Sequence, residues 1–342
     1  MCKRSNTFTA YASALTLATL VTFTAFAPAH AGGHFISALH CVDIAYDESR
    51  GLLYITSGDR MLRYQLSSRS FQTPVKIRGA SLMGMDISPD GSTAAIADAN
   101  ARNDLTYAHF VNLDTLNVNT VSFPEDGSIG TFTTAYGSNG DLLVSTTYQT
   151  SSGPTPLWLY DPSNGSETDL AQISGNRTML TPSAGGDYVA LAEGNSSQGP
   201  FGYYQFSTGT LDLNGSSANF NFEIGVNKDA TLYAIPTYMG TLIANAGLQL
   251  TGTVIGTNGG NIPIAAAFSP TRDRAYFPFT GTTDVYVYDT KNWTQVRTYD
   301  FKDTFQWNGG YAFGQGRTKL SKDGSLLFVT VTGGVRYRYL KL

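Results

Sequence analysis

The chain has 342 residues, with 22 Lys and Arg against 26 Asp and Glu, a formal net charge of −4 and two cysteines. The charges stand singly, and no basic stripe could neutralise a run of phosphates, which argues against nucleic acid as a partner. An acidic membrane surface is disfavoured for the same reason.

The first element in chain order reads as an export signal. Lys3 and Arg4 give a positive start, residues 11–27 are apolar and Thr-rich without a charge, and Ala29-His30-Ala31 has the small-x-small form of a cleavage site. The apolar stretch is short for a membrane anchor, which needs roughly 20 residues, and no later segment is long and apolar enough to cross a bilayer. The chain is thus divided into residues 1–31, a secretory signal peptide, and 32–342, a single domain expected outside the cell or in the periplasm, as a monomer. Cleavage would leave 20 basic and 26 acidic residues and Cys41 as the only thiol. With no intramolecular disulfide available, stability falls to a large apolar core. Cys41 itself opens an alternating strand and reads as a small buried hydrophobe. Its neighbour His40 would project to the opposite strand face.

From residue 41 to the C-terminus one unit recurs seven times. ISPDGSTAAIAD (87–98), FSPTRDRAYFPFT (268–280) and LSKDGSLLFVTVT (320–332) overlay without gaps, and AYDESRGLLYITS (45–57) follows the same plan. The turn positions are Gly51, Gly91, Gly140, Gly186, Ala230, Asp273 and Gly324, at intervals of 40, 49, 46, 44, 43 and 51 residues, about one propeller blade each. Alternation of period two dominates, as in Val285-Tyr286-Val287-Tyr288, and no window holds a helical period. Each unit reads as strand A, turn, strand B, loop, strand C, turn, strand D, with Asp114-Thr115, Asp161-Pro162 and Asp289-Thr290 at the C–D turns.

Blades are expected at 41–78, 83–123, 131–173, 179–213, 220–255, 264–301 and 317–342. The last lacks a fourth strand, while residues 35–39 stand before the first with nothing to pair with. The expected fold is therefore all-β, a seven-bladed β-propeller of four-stranded antiparallel blades, closed by the N-terminal strand so that no sheet edge is left open.

Specific chemistry must lie outside the repeated framework. The D–A and B–C loops of such a ring gather on one face, and those at 98–104, 148–156 and 193–201 are long, as is the aromatic, Gly-rich stretch 305–317. The candidate ligand-binding residues on that face are Arg60, Asp98, Arg102, Tyr148, Glu193, Tyr238, Trp307 and Arg317. Residues 98–104 offer oxygens to a hard cation but lack EF-hand spacing and a closing Glu, and read as a solvated polar loop. Trp307 with Tyr311 and Phe313 forms either a stacking platform for a sugar or aromatic ligand, or packing beneath a Gly-rich turn. Beyond residue 31 there are three histidines: His40, His34 in a terminus expected to fray, and His109 in a strand, read as structural. No HExxH, GxSxG, Cys-based metal spacing or phosphate-binding Gly loop occurs, so no cofactor and no metal are predicted. Sequons at Asn164, Asn176, Asn195, Asn214 and Asn292 would matter only in a eukaryotic secretory pathway.

The framework pattern of ISPDGSTAAIAD, followed by a C strand such as DVYVYDTKNWTQV (284–296), resembles the YVTN/WD40-like seven-bladed β-propeller proteins of secreted type, over essentially the whole mature chain. The Trp-Asp dipeptide of WD40 blades is missing, which moves the resemblance toward the YVTN side. The resemblance implies shape more than activity. Related secreted propellers include lactonases, streptogramin-type lyases and quinoprotein subunits; those that hydrolyse or eliminate use channel-face His and acidic residues with a divalent metal. Asp98, Glu193 and Asp59 would supply acids here, but the histidines are missing at matching positions. The expected function is an exported, non-catalytic binding or interaction propeller with a protein, carbohydrate or small-molecule ligand on the loop face. The alternative is a metal-assisted lyase or lactonase, with Ca or Mg as its ion.

Overall fold

The computed structural model describes residues 33–340 apart from 149–153, 175, 176, 195, 257–260, 307–312 and 314. Ahead of the first blade stands β1 (His34–Ser37), and blade one holds β2 (Cys41–Asp47), β3 (Leu52–Ser57), β4 (Arg60–Gln65) and β5 (Ser70–Lys76). Blade two holds β6 (Leu82–Ile87), β7 (Thr93–Arg102), β8 (Leu105–Asn112) and β9 (Val118–Pro124); blade three holds β10 (Ser128–Tyr136), β11 (Leu142–Tyr148), β12 (Pro154–Asp161) and β13 (Ser166–Ser174). Blade four is β14 (Thr178–Pro182), β15 (Tyr188–Glu193), β16 (Pro200–Gln205) and β17 (Thr210–Ser216), and blade five is β18 (Gly225–Val226), β19 (Leu232–Thr237), β20 (Gly240–Asn245) and β21 (Leu250–Ile255). Blade six is β22 (Ala267–Phe268), β23 (Arg274–Pro278), β24 (Asp284–Asp289) and β25 (Gln295–Asp300), and blade seven is β26 (Thr318–Leu320), β27 (Leu326–Val331) and β28 (Gly334–Tyr339).

Every blade is a four-stranded antiparallel meander, and blade seven takes β1 as its outer strand, in the order β1-β28-β27-β26. The ring thus closes with the first strand of the chain beside the last, as the repeat count requires. The closing strand runs His34–Ser37 rather than 35–39, with His34 paired to Tyr337 and Ser37 to Gly334. His34 is not frayed: its ring stacks on Tyr337 at 4.9 Å. The strand stops short of Leu39 because the chain turns into blade one, with His40 at a φ of 57°.

The A–B turns repeat one small hydrogen-bonding scheme. Gly91 N–H bonds the Ser88 carbonyl at 2.8 Å and Ser92 N–H bonds Asp90 Oδ1 at 3.0 Å; Gly324 to Ser321 (2.9 Å) and Ser325 to Asp323 (2.8 Å) do the same. The glycine is needed because its φ is near +73°, a region that L side chains avoid. Blade five holds Ala230 there at φ 54°, while in blade six Asp273 is not left-handed and the turn is closed by Arg274 N–H on the Arg272 carbonyl.

The B strands are buried along nearly their whole length, as in β27 and β3, because both faces of every blade are covered by neighbouring blades. The D strands show the opposite pattern, as in β9 and β25, since they form the outer wall. Burial gathers into seven apolar clusters, one between each adjacent pair of blades. That between blades seven and one contains Ile36, Ile44, Leu53, Phe328 and Tyr337, so the closing strand belongs to a core.

Gly334 marks how tight the closure is: a Cβ there would overlap the Ile36 carbonyl oxygen. Gly334→Ala should cost about 1–3 kcal/mol by forcing β1 and β28 apart. Thermal unfolding checks it, and the same change at Gly333, where a Cβ meets nothing within 4 Å despite a φ of 76°, serves as the control for backbone strain alone.

Candidate functional site

The A strands line the axis, and their inner edges carry amides that no further strand pairs with. Asp43 in β2 uses its carboxylate to accept the Ile44 amide at 2.7 Å and, across the gap to blade two, the Met85 amide at 2.9 Å. Asp86 in β6 does the same one blade on, accepting Ile87 at 2.9 Å and Tyr136 in blade three at 2.8 Å. Between blades five and six the inner edges come close enough for a parallel bridge between Glu223 and Ala265.

On this framework sits a buried charge cluster spanning the axis. Arg317, just before β26, hydrogen-bonds Asp43 of blade one through Nε and, at 3.1 Å, through Nη2. Its Nη1 lies 2.6 Å from Glu223 Oε1 of blade five, off the line of a straight hydrogen bond, so that contact is an ion pair. All three side chains are nearly inaccessible. Burial works against the Arg317 charge, but the adjacent Asp43 and Glu223 outweigh it and hold the guanidinium more firmly protonated than a free arginine. Burial pushes the Glu223 carboxyl up, against the opposing pull of Arg317 and Lys319. Cys41, half-buried rather than fully enclosed, is pushed up to about 12 by burial, with Asp43 adding and Arg317 opposing, so its thiol stays un-ionised and inert.

Phe313 stacks on this cluster, its ring 5.1 Å from the Arg317 guanidinium and edge-on to Phe132 of blade three at 5.0 Å. A Cβ on Gly84 of blade two would come within 2.9 Å of the same ring. One ring touching blades two, three and seven lies across the channel. Phe313 therefore packs inside the ring; Trp307 and Tyr311, its expected companions, lie outside the described residues.

Beyond the charge cluster the channel widens into a cavity of about 430 Å³. All seven blades line it, from Ile44, Met85 and Glu223 at depth to Pro89, Gly185, Lys228, Pro270 and Lys322 at the A–B turns. Its mouth is thus at the A–B end, opposite the D–A and B–C loops. Lys319 and Asp86 project charge into it from the walls. Lys319 is held below the ordinary lysine range by burial and then by the adjacent Arg317, with Glu223, Asp43 and Asp86 opposing.

The residues singled out from the sequence do not converge. Asp98 is fully buried, and Arg102 bonds it at 2.8 Å. Its oxygens also accept the Ser81 and Asn100 amides at 2.8 and 3.0 Å, and His109 Nε2 stands 3.2 Å away with Nδ1 on Thr120 at 2.9 Å. Burial alone would raise the Asp98 pKa, but the His109 contact and these amides outweigh it and hold it below the ordinary carboxylate range. The stretch 98–104 is no solvated loop: β7 runs on to Arg102, and Asn103 and Asp104, at φ 55° and 60°, make a two-residue hairpin turn into β8. Asn and Asp tolerate that left-handed region, which is why a tight hairpin forms where a loop was expected.

Glu193 is buried and takes a hydrogen bond from Thr178 at 3.1 Å. Tyr238 is half-buried, edge-on to Phe222 at 5.2 Å, and Arg60 is exposed beside Asp59 at 3.6 Å. Tyr148 ends β11. Among the described residues no group of three or more His, Cys, Asp and Glu side chains is disposed to hold a metal ion. The residues missed in the sequence are Asp43, Asp86, Glu223 and Lys319. Their signal was a charge placed within a short inner strand, as in GMDIS and TKLS.

This geometry defines a seven-bladed β-propeller of four-stranded antiparallel blades. The fold is similar to that of a chain in a crystal structure of a mitotic checkpoint complex, at a TM-score of 0.68 and 10% identity over 97% of this chain and 99% of that one. It is also similar to a chain of hydrazine synthase from Kuenenia stuttgartiensis, at a TM-score of 0.64 and 12% identity over 90% of this chain and 97% of that one. At such identities the likeness is one of fold alone. No family model matches the sequence, and no curated protein matches it.

Proposed function

We propose that this chain is an exported, non-catalytic binding propeller whose ligand enters the axial cavity from the A–B end. The observation that supports it is the cavity itself, about 430 Å³ with walls from all seven blades. That volume is within the range of small-molecule sites, and a rigid closed ring holds such a site preformed. On the loop face, Asp98, Glu193 and Arg317 are spent on internal partners, which favours the opposite end. One of the similar folds belongs to a protein complex, and an interaction scaffold that also seats a small molecule fits the same architecture. Export rests on the N-terminal pattern from Lys3 to Ala31.

The full chain, expressed with its N-terminal segment, should appear outside the cytoplasm with Gly32 as its first residue. The purified protein should gain thermal stability with a small-molecule panel, and Ala267→Trp, which places an indole in the cavity wall, should abolish the gain while keeping the melting temperature without ligand. A chain retained inside the cell would overturn export; equal responses in the two proteins would overturn the cavity as the site.

A further inference from the structure

Deep in the cavity, Lys319 and Asp86 face each other as a cation and an anion that, among the described residues, no side chain neutralises by direct hydrogen bonding. The Lys319 ammonium has three donors, and among the described residues the one carboxylate within 4.0 Å of it is Glu223, at 4.0 Å, beyond hydrogen-bond reach. Glu223 is already matched by Arg317 at 2.6 Å. On the wall contributed by blade two, the Asp86 carboxylate accepts two backbone amides, from Ile87 and Tyr136, and among the described residues meets no side-chain cation within 4 Å. Each of its oxygens keeps a lone pair for another donor. Both residues line the cavity and both are half-buried, so each charge is partly stripped of water.

We propose that the axial cavity selects a small zwitterion, with Asp86 receiving an ammonium group and Lys319 a carboxylate. This is the chemistry shared by free amino acids and short peptides, and the inference rests on the cavity being the binding site. A single anion would meet Lys319 but leave Asp86 repelling it across the same cavity, and a single cation would meet the reverse; a molecule carrying both charges satisfies both walls. Burial pushes Asp86 up to about 6, against the Tyr136 amide, Lys319 and the Ile87 amide, with Asp43 adding to the rise. An ammonium arriving beside it favours the ionised form. At the mouth, Lys228 and Lys322 line the cavity, on turns that also carry Glu48, Asp90, Asp229 and Asp323.

The test is calorimetric titration of the mature protein at pH 7.5 with the free amino acids and a set of unblocked tripeptides, followed by N-acetylated and C-amidated forms of whatever binds. Blocking either end should weaken binding at least tenfold. In Lys319→Met the C-terminal block should no longer matter while the N-terminal block still does, and in Asp86→Asn the reverse. A merely structural role for either residue would weaken all forms equally. Succinate and 1,4-diaminobutane separate the two readings: binding of either, lost in Ala267→Trp, with no binding of zwitterions, overturns this inference and keeps the cavity as a site. Heat from none of the probes overturns the inference, and a ligand unaffected by Ala267→Trp overturns the cavity reading as well. Preference for tripeptides over amino acids identifies which of the two sources the cavity serves.

Discussion

Replacing Ile36 by Asp should lower stability by about 4 kcal/mol, a large part of what a single domain usually has. Ile36 is 1% exposed and belongs to the cluster between blades seven and one, with Phe328, Val335 and Tyr337 around it. The substitution removes its apolar contacts and puts a carboxylate into that apolar cluster. The outer edge of β28 then loses its partner, and an unpaired strand edge is a template for association with other chains. Phe35→Ala, one position away, is the comparison. Phe35 is 45% exposed and offers its ring to Arg336 at 5.2 Å, so its loss should cost less than about 1 kcal/mol. Chemical denaturation and light scattering read both effects. If the two variants lost equal stability, the N-terminal strand would be an ornament on blade seven and not the closure of the ring.

The second large effect is expected at Arg317. Arg317→Met leaves the carboxylates of Asp43 and Glu223 buried without their shared cation, a loss of about 3–5 kcal/mol. Arg317→Met with Glu223→Gln should recover part of it, because one stranded charge has gone. The pH dependence separates charge from packing. Glu223 already has a carboxyl pKa above its ordinary value from burial, and removing Arg317 takes away the main opposing charge. A carboxyl whose folded pKa is raised contributes stability fully below its unfolded value, and that contribution is lost as pH rises through the folded one. The deficit of Arg317→Met should therefore be smallest in acid and grow toward neutral pH, while the double variant shows a shallower slope. A deficit independent of pH would mean that the side chain acts by filling space beside Phe313 alone.

The repeat was legible in the sequence because its cause is local. Gly91, Gly324 and their counterparts hold left-handed turn positions, and Asp90 and Asp323 cap them through the backbone two residues on. A strand limit misjudged by a residue or two does not disturb that spacing. The hairpin at Asn103 and Asp104 was as local, yet it was read as a loop, since polar composition alone does not distinguish a two-residue turn from a solvated segment. The loop-face candidates were chosen by exposure inferred from chain position. Asp98 and Glu193 proved buried because each lies within a B strand, Asp98 inside β7 and Glu193 at the end of β15, where neighbouring blades cover the sheet.

By itself the sequence determined seven four-stranded units and a closing strand drawn from the N-terminal side, since turn chemistry and period-two alternation act over a dozen residues. Only the tertiary structure decided which charges meet. Asp43 and Arg317 are separated by 274 residues and Glu223 stands far from both in sequence, yet they form one ion cluster. The ring brings the first, fifth and seventh inner strands to a common axis, and no pattern along the chain records which side chains share a level there. For the same reason the open end of the channel was decided by how far Phe313 and Arg317 fill it from one side, leaving Asp86 and Lys319 to face the cavity on the other.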